Sequence, residues 1–191
     1  MTESKPARRG RRWAAVAASG VVLTTFAVAA HGAGLEPSAE TASGAPTDLE
    51  LTGSAGGLLP EGFGLWTGDP VSFDIEARST AAGTSGTFDV SHLHPDGELV
   101  AEFTGDVTCL AVGGDVAVAT GVITDGVGHL PGSGPTDLAG QRVSFTVLDD
   151  GRKDRMFWQW EFLGAPISDC QGTAPVFDPD WGNFRVSGEM L

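Results

Sequence analysis

An all-β, antiparallel domain follows from three features of the sequence. Apolar and polar residues alternate with a period of two through most of residues 65–191. Gly, Asp, Asn and Pro punctuate these runs at short intervals. No window of about ten residues carries the stripe of an amphipathic helix. About eight short strands then make one domain, either a β-barrel or a two-sheet sandwich.

In the first strand Val71, Phe73 and Ile75 alternate with Ser72, Asp74 and Glu76. In the second, Phe88 and Val90 alternate with Thr87, Asp89 and Ser91. Residues 98–105, 106–112, 115–124, 142–148, 155–163 and 182–190 continue the pattern. Pro95-Asp96-Gly97, Gly113-Gly114-Asp115 and the run DDGRKD at 149–154 supply the turns. The connection 125–141 is too long for a hairpin turn and reads as a loop, with His129 on it.

Ahead of the domain, Lys5, Arg8, Arg9, Arg11 and Arg12 precede an uncharged, mostly apolar run over 13–30. Ala27 and Ala29 fit a cleavage site, so residues 1–29 read as a signal peptide of a secreted or envelope-associated protein. The run is also about long enough to span a bilayer, which leaves an uncleaved anchor, and membrane attachment with it, as the alternative. Trp13 and Ala14 after Arg11-Arg12 do not decide between ordinary secretion and twin-arginine export. Residues 30–64, rich in Gly, Ala, Ser, Thr and Pro, read as a flexible stem, because they offer little apolar surface to offset ordering entropy.

Without residues 1–29 the chain keeps 6 Lys and Arg against 24 Asp and Glu, a net charge of −18. Such a surface repels phosphate backbones and excludes nucleic acid as a partner. A small ligand or an envelope partner is the expectation. Cys109 and Cys170 read as one disulfide in an exported chain, with two buried thiols as the alternative. Closing a loop of about sixty residues contributes roughly 4 kcal/mol in the chain-entropy model.

His92 and His94 stand two apart on a strand and so share a face, an arrangement that suits a divalent transition metal. Residues 86–105, GTFDVSHLHPDGELVAEFTG, resemble the first signature of the cupin superfamily, with Gly86, His92, His94, Glu98 and Gly105 at its positions. The resemblance implies a metal-dependent enzyme in which His92, His94 and Glu98 are ligands. The second cupin signature is not completed, since His129 lacks the Pro-x-Gly that should precede it.

Hairpin register bears on the same point. A two-residue turn at Asp96-Gly97 pairs His94 with Leu99 and keeps His92, Ala101 and Phe103 on the face of Phe88 and Val90, with Glu98 on the other. A three-residue loop pairs His94 with Glu98 but mixes the faces. Burying Leu99 and Phe103 is worth roughly 1.5–3 kcal/mol each, against about 1 kcal/mol for turn preference. The expectation is the two-residue turn, and a non-catalytic binding domain rather than a metalloenzyme.

Met156, Trp158, Trp160 and Phe162 share a strand face, read as core, with a stacking platform for a flat ligand as the alternative. Trp66 and Trp181, near the domain's ends, are placed to cover a barrel mouth. DDGRKD lacks the spacing of a calcium loop and reads as a charged turn. Neither a phosphate loop nor a G-x-S-x-G turn is present, and the chain has no tyrosine, so no catalytic residue is assigned.

Gly-x-Val-x-Cys-Leu at 105–110, Ala-x-x-x-Gly-x-Ile at 117–123, Val-x-Asp-Asp-Gly at 147–151 and Cys170 together resemble small exported proteins of GC-rich Gram-positive bacteria that carry the label repetin. The resemblance covers roughly residues 65–191 and implies export, with no particular activity or site.

Overall fold

The computed structural model describes residues 48–188. The expected signal peptide and residues 30–47 of the expected stem lie outside the described residues. The chain runs through strands β1 (Leu49–Leu58), β2 (Pro70–Thr80), β3 (Gly83–Leu93), β4 (Leu99–Gly113), β5 (Val116–Gly128), β6 (Thr136–Asp137), β7 (Arg142–Leu148), β8 (Arg155–Trp160) and β9 (Trp181–Ser187). Short 3-10 turns occupy Gly64–Trp66 and Glu161–Leu163. One antiparallel sheet results, in the order β8-β7-β5-β4-β3-β2-β1-β9, with β6 paired to β5. It curls into a half-barrel around a single core, so the domain is all-β as the alternation predicts.

The core is aromatic. Phe73, Phe88 and Phe145 pack at ring distances of 5.3 to 6.3 Å, and Phe103 adds its edge to Phe88. Alternation places them on one face because strand side chains alternate sides. The outer face of β2 to β4 carries Asp74, Glu76, Asp89, Glu102 and Asp106.

The stem expectation needs correction at its C-terminal end. Residues 49–58 form β1, paired to β2 on one side and β9 on the other, with Leu51 and Ala55 in the core. Glycine here serves close approach rather than flexibility. A Cβ on Gly53, whose φ is 139°, would strike the Asn183 carbonyl of β9, and one on Gly56 would meet the Trp181 ring. Leu99–Gly113 likewise form the single long strand β4, with bulges, where the sequence suggested two strands. Part of the expected long loop is strand as well, since β5 continues to Gly128 and β6 folds back on it to bury Leu138.

The disulfide joins Cys109 of β4 to Cys170, with Cα atoms 5.3 Å apart. The Cys170 N–H donates to Thr120 Oγ1 at 3.1 Å, and Ser144 Oγ donates to the Gln171 carbonyl at 2.6 Å. The segment after Leu163 is thereby pinned across β5 and β7, which explains why Thr120, Ser144 and Thr146 are buried polar residues.

The two ends of the sheet, β8 and β9, approach without forming a ladder. Met156 of β8 and Phe177, in the segment ahead of β9, exchange both backbone hydrogen bonds, at 2.8 and 2.9 Å. Pairing stops there for a local reason. In that register Pro175 would fall opposite Trp158, and proline has no N–H to donate. On the other end of the seam, carboxylates from the DDGRKD turn take the free amides of β9. Asp154 Oδ2 accepts from Phe184 N–H at 2.5 Å and Asp149 Oδ2 from Val186 N–H at 3.1 Å. Beyond the Met156–Phe177 bridge, the seam opens into a cleft along β8.

Candidate functional site: an aromatic cleft with a His–Asp–His cluster

Leu59 to Asp69 form a loop tied at its neck, where Leu59 N–H donates to the Asp69 carbonyl at 2.9 Å and Gly68 N–H to the Leu59 carbonyl at 2.7 Å. The neck delivers Asp69 to the end of β2, and the loop swings Phe63 and Trp66 over the edge of β8. Phe63 stacks on Trp158 at 5.8 Å, and Trp158 in turn packs on Phe73 at 4.5 Å. Between loop and strand lies a cleft of about 230 Å³. Its walls are Leu59, Phe63, Trp66, Phe157, Trp158, Gln159, Trp160, Leu163 and Ala165, with His92 among them.

The β3–β4 hairpin sets the histidines. Its body follows the register that burial favours, with Phe88 opposite Gly105, Val90 opposite Phe103 and His92 opposite Ala101. Its tip follows the turn chemistry. Gly97 N–H donates to the His94 carbonyl at 2.9 Å, His94 N–H donates to the Glu98 carbonyl at 2.7 Å, and Gly97 has a φ of 90°. A one-residue bulge at Val100 reconciles the two, between the pairs His92–Ala101 and Leu93–Leu99. The expected two-residue turn is therefore replaced by the three-residue loop, because a bulge lets turn and body each keep its preferred register. The extra carbonyl, that of Val100, accepts the His129 N–H at 2.7 Å.

Glu98 thus stands opposite His94, yet no hydrogen bond or ion pair joins its exposed carboxylate to either histidine. Both imidazoles turn to Asp69, which the sequence reading did not single out. His92 Nε2 lies 2.9 Å and His94 Nδ1 3.1 Å from the same Asp69 Oδ2. Among the described residues no three His, Cys, Asp or Glu side chains are grouped to hold a metal ion, so His92, His94 and Glu98 are not assembled as the cupin resemblance implies. His129 is exposed and contributes its backbone only.

His92 is 2% exposed and Asp69 equally so, while the His94 side chain is 40% exposed. With Asp69 Oδ2 accepting, the Nε2 of His92 carries the proton and Nδ1 is left as a lone-pair acceptor. That Nδ1 is buried without a partner, as is Trp160 Nε1. Burial pushes the His92 pKa below its usual 6.5. The Asp69 hydrogen bond and charge oppose that shift, and the His94 charge adds to it. At neutral pH the ring is uncharged.

The tryptophans divide between core and cleft. Met156 is fully buried and Trp160 nearly so, as a core stripe requires, but Trp158 and Trp160 also line the cleft. Trp66 packs edge-on against His92 at 5.9 Å, at one wall of the cleft. Trp181 is 51% exposed on a separate outer depression shared with Leu58 and Asp180. The run GFGLWTGDP at 62–70 held the missed signal. Two aromatics in a glycine-rich loop just before a strand are candidates for a lid, and an Asp before Pro is held in extended geometry.

A scan of the chain against family models finds no match, and neither do searches of curated proteins and of solved structures.

Proposed function

We propose that this is an exported, non-catalytic binding protein whose domain holds a small ligand in the aromatic cleft beside β8. One observation carries the reading. The wall of a concave site with five aromatic side chains includes His92 and Trp160, whose ring nitrogens Nδ1 and Nε1 are buried with no protein partner. Buried polar groups are nearly always paired, so such atoms in the wall of a cleft are what a ligand would complete. Export rests on the basic head and apolar run of residues 1–29, with which the disulfide is compatible. Attachment to a membrane belongs to this reading only if the leading segment stays uncleaved, and the acidic surface leaves nucleic acid outside it.

The test is a titration of the purified protein with naphthalene, followed through the indole N–H signals in a proton–nitrogen NMR spectrum. Shifts at Trp66, Trp158 and Trp160 with Trp181 unmoved are the expected result. Trp66→Ala, on the loop and not in the central core, should weaken binding about tenfold, as loss of one aromatic wall implies. Shifts at Trp181 alone, or none, would count against the cleft.

A further inference from the structure

The cleft also constrains the chemistry of its occupant. Its wall contains no carboxylate, lysine or arginine. The one titratable group, His92, is spoken for on its Nε2 side by Asp69, and the Asp69 charge is covered by the two imidazoles. A charged ligand would therefore be desolvated against aromatic rings with no opposite charge to meet it. Among the buried polar side-chain atoms of that wall two lack a partner, one acceptor, His92 Nδ1, and one donor, the Trp160 Nε1–H, on rings whose centres are 6.0 Å apart. The volume, about 230 Å³, falls below the roughly 300–1,000 Å³ range of sites for drug-sized ligands. Phe63 and Trp158, stacked at an interplanar angle of 26°, and Trp66 present surfaces suited to a flat body.

Resting on the binding reading above, we propose that the cleft selects a neutral, planar molecule of one or two fused rings bearing both an N–H or O–H donor and a carbonyl-type acceptor. The donor meets His92 Nδ1 and the acceptor meets the Trp160 indole N–H. Asp69 is then a positioning residue, because it decides which imidazole nitrogen keeps the lone pair. Anionic ligands are rejected twice, by the missing cation in the wall and by the acidity of the whole chain. His94 contributes from behind, sharing the Asp69 oxygen without entering the wall.

The experiment compares four probes of similar shape on the purified protein, by tryptophan fluorescence and by the indole signals. They are 2-quinolinone (N–H and carbonyl), coumarin (carbonyl with ring oxygen in place of N–H), naphthalene (neither) and 2-naphthoate (an anion). The expected order is 2-quinolinone tightest, coumarin about tenfold weaker, naphthalene weaker again and 2-naphthoate weakest, each hydrogen bond being worth about a factor of ten. Trp160→Phe removes the indole donor together with part of the ring, and should weaken 2-quinolinone and coumarin about tenfold more than it weakens naphthalene. His92→Phe should erase the preference of 2-quinolinone over coumarin. Should that variant fail to fold, the Trp160→Phe series and the wild-type order still decide. If naphthalene binds at the cleft and 2-quinolinone is no better, the donor–acceptor assignment is overturned while the binding cleft stands. Tighter binding of 2-naphthoate overturns it as well. If none of the four moves the cleft indoles, both readings fall.

Discussion

Asp69 and Asp154 are both buried carboxylates, each one residue ahead of a strand, and their environments differ in kind. Asp69 meets two imidazoles, whose ring nitrogens donate or accept according to tautomer. Asp154 meets the fixed backbone N–H of Phe184, and its other oxygen is buried with no partner. The first carboxylate sets the tautomer of a ring in the cleft wall, whereas the second clamps an edge of the half-barrel. Burial and residue type do not distinguish a site from a brace; the chemistry of the partner does.

Removing each carboxylate is the strongest way to break the comparison. Asp69→Ala leaves a buried imidazole N–H without an acceptor and should cost about 2–3 kcal/mol in urea unfolding. It should also cost at least tenfold in affinity for 2-quinolinone, since nothing then holds the His92 ring. Asp154→Ala should cost about 1–2 kcal/mol, from the orphaned Phe184 amide, and leave probe affinity unchanged. Equal effects of the two variants on binding would erase the distinction drawn between them.

Acid sharpens the contrast, because the two regions respond with opposite sign. His92 has its pKa drawn down by burial, in spite of Asp69 and with help from His94, so the unfolded chain takes up this proton first. Its contribution to stability is present above about pH 6.5 and is lost as pH falls from there through the folded-state pKa. Asp154 has its pKa pushed up by burial, with the Asp149 and Asp150 charges adding and the Phe184 N–H opposing. Its contribution is fully present below the ordinary carboxyl range and is lost as pH rises through the folded-state pKa. Stability measured against pH should therefore lose its fall below pH 6.5 in His92→Asn, and its weakly acidic slope of opposite sign in Asp154→Asn. Asp154→Asn keeps an oxygen for Phe184 and avoids burying a charge, so at neutral pH it should change stability by less than about 1 kcal/mol.

The smallest effect is expected at the seam between these regions. Pro175→Ala supplies an N–H where the Met156–Phe177 pairing would reach Trp158. Stability should move by no more than about 0.5 kcal/mol, within the range of surface changes. The new amide at residue 175 should be protected from hydrogen exchange if the pairing extends, and naphthalene should bind less well as the cleft narrows. An unprotected amide at that position would show that something other than the missing N–H keeps the seam open.

Much of this molecule was legible in the sequence, and the boundary of legibility is physical. Two-residue periodicity and turn formers determined an antiparallel all-β domain, because alternation leaves one face of each strand apolar whatever its neighbours. Two cysteines pointed to the disulfide that the fold contains. β1 was hidden, because its glycines answer to the Asn183 carbonyl and the Trp181 ring of a strand more than a hundred residues away. The hairpin hid its compromise too, since weighing turn against burial presumes a single register and a bulge allows both. The cleft depends on Asp69, Phe63 and Trp66 meeting β3 and β8, contacts that no local pattern encodes. Local alternation thus specified the strands and their faces. Which carboxylate met the histidines, and where the barrel stayed open, were decided by tertiary structure alone, through loop closure at Leu59–Asp69 and the missing N–H of Pro175.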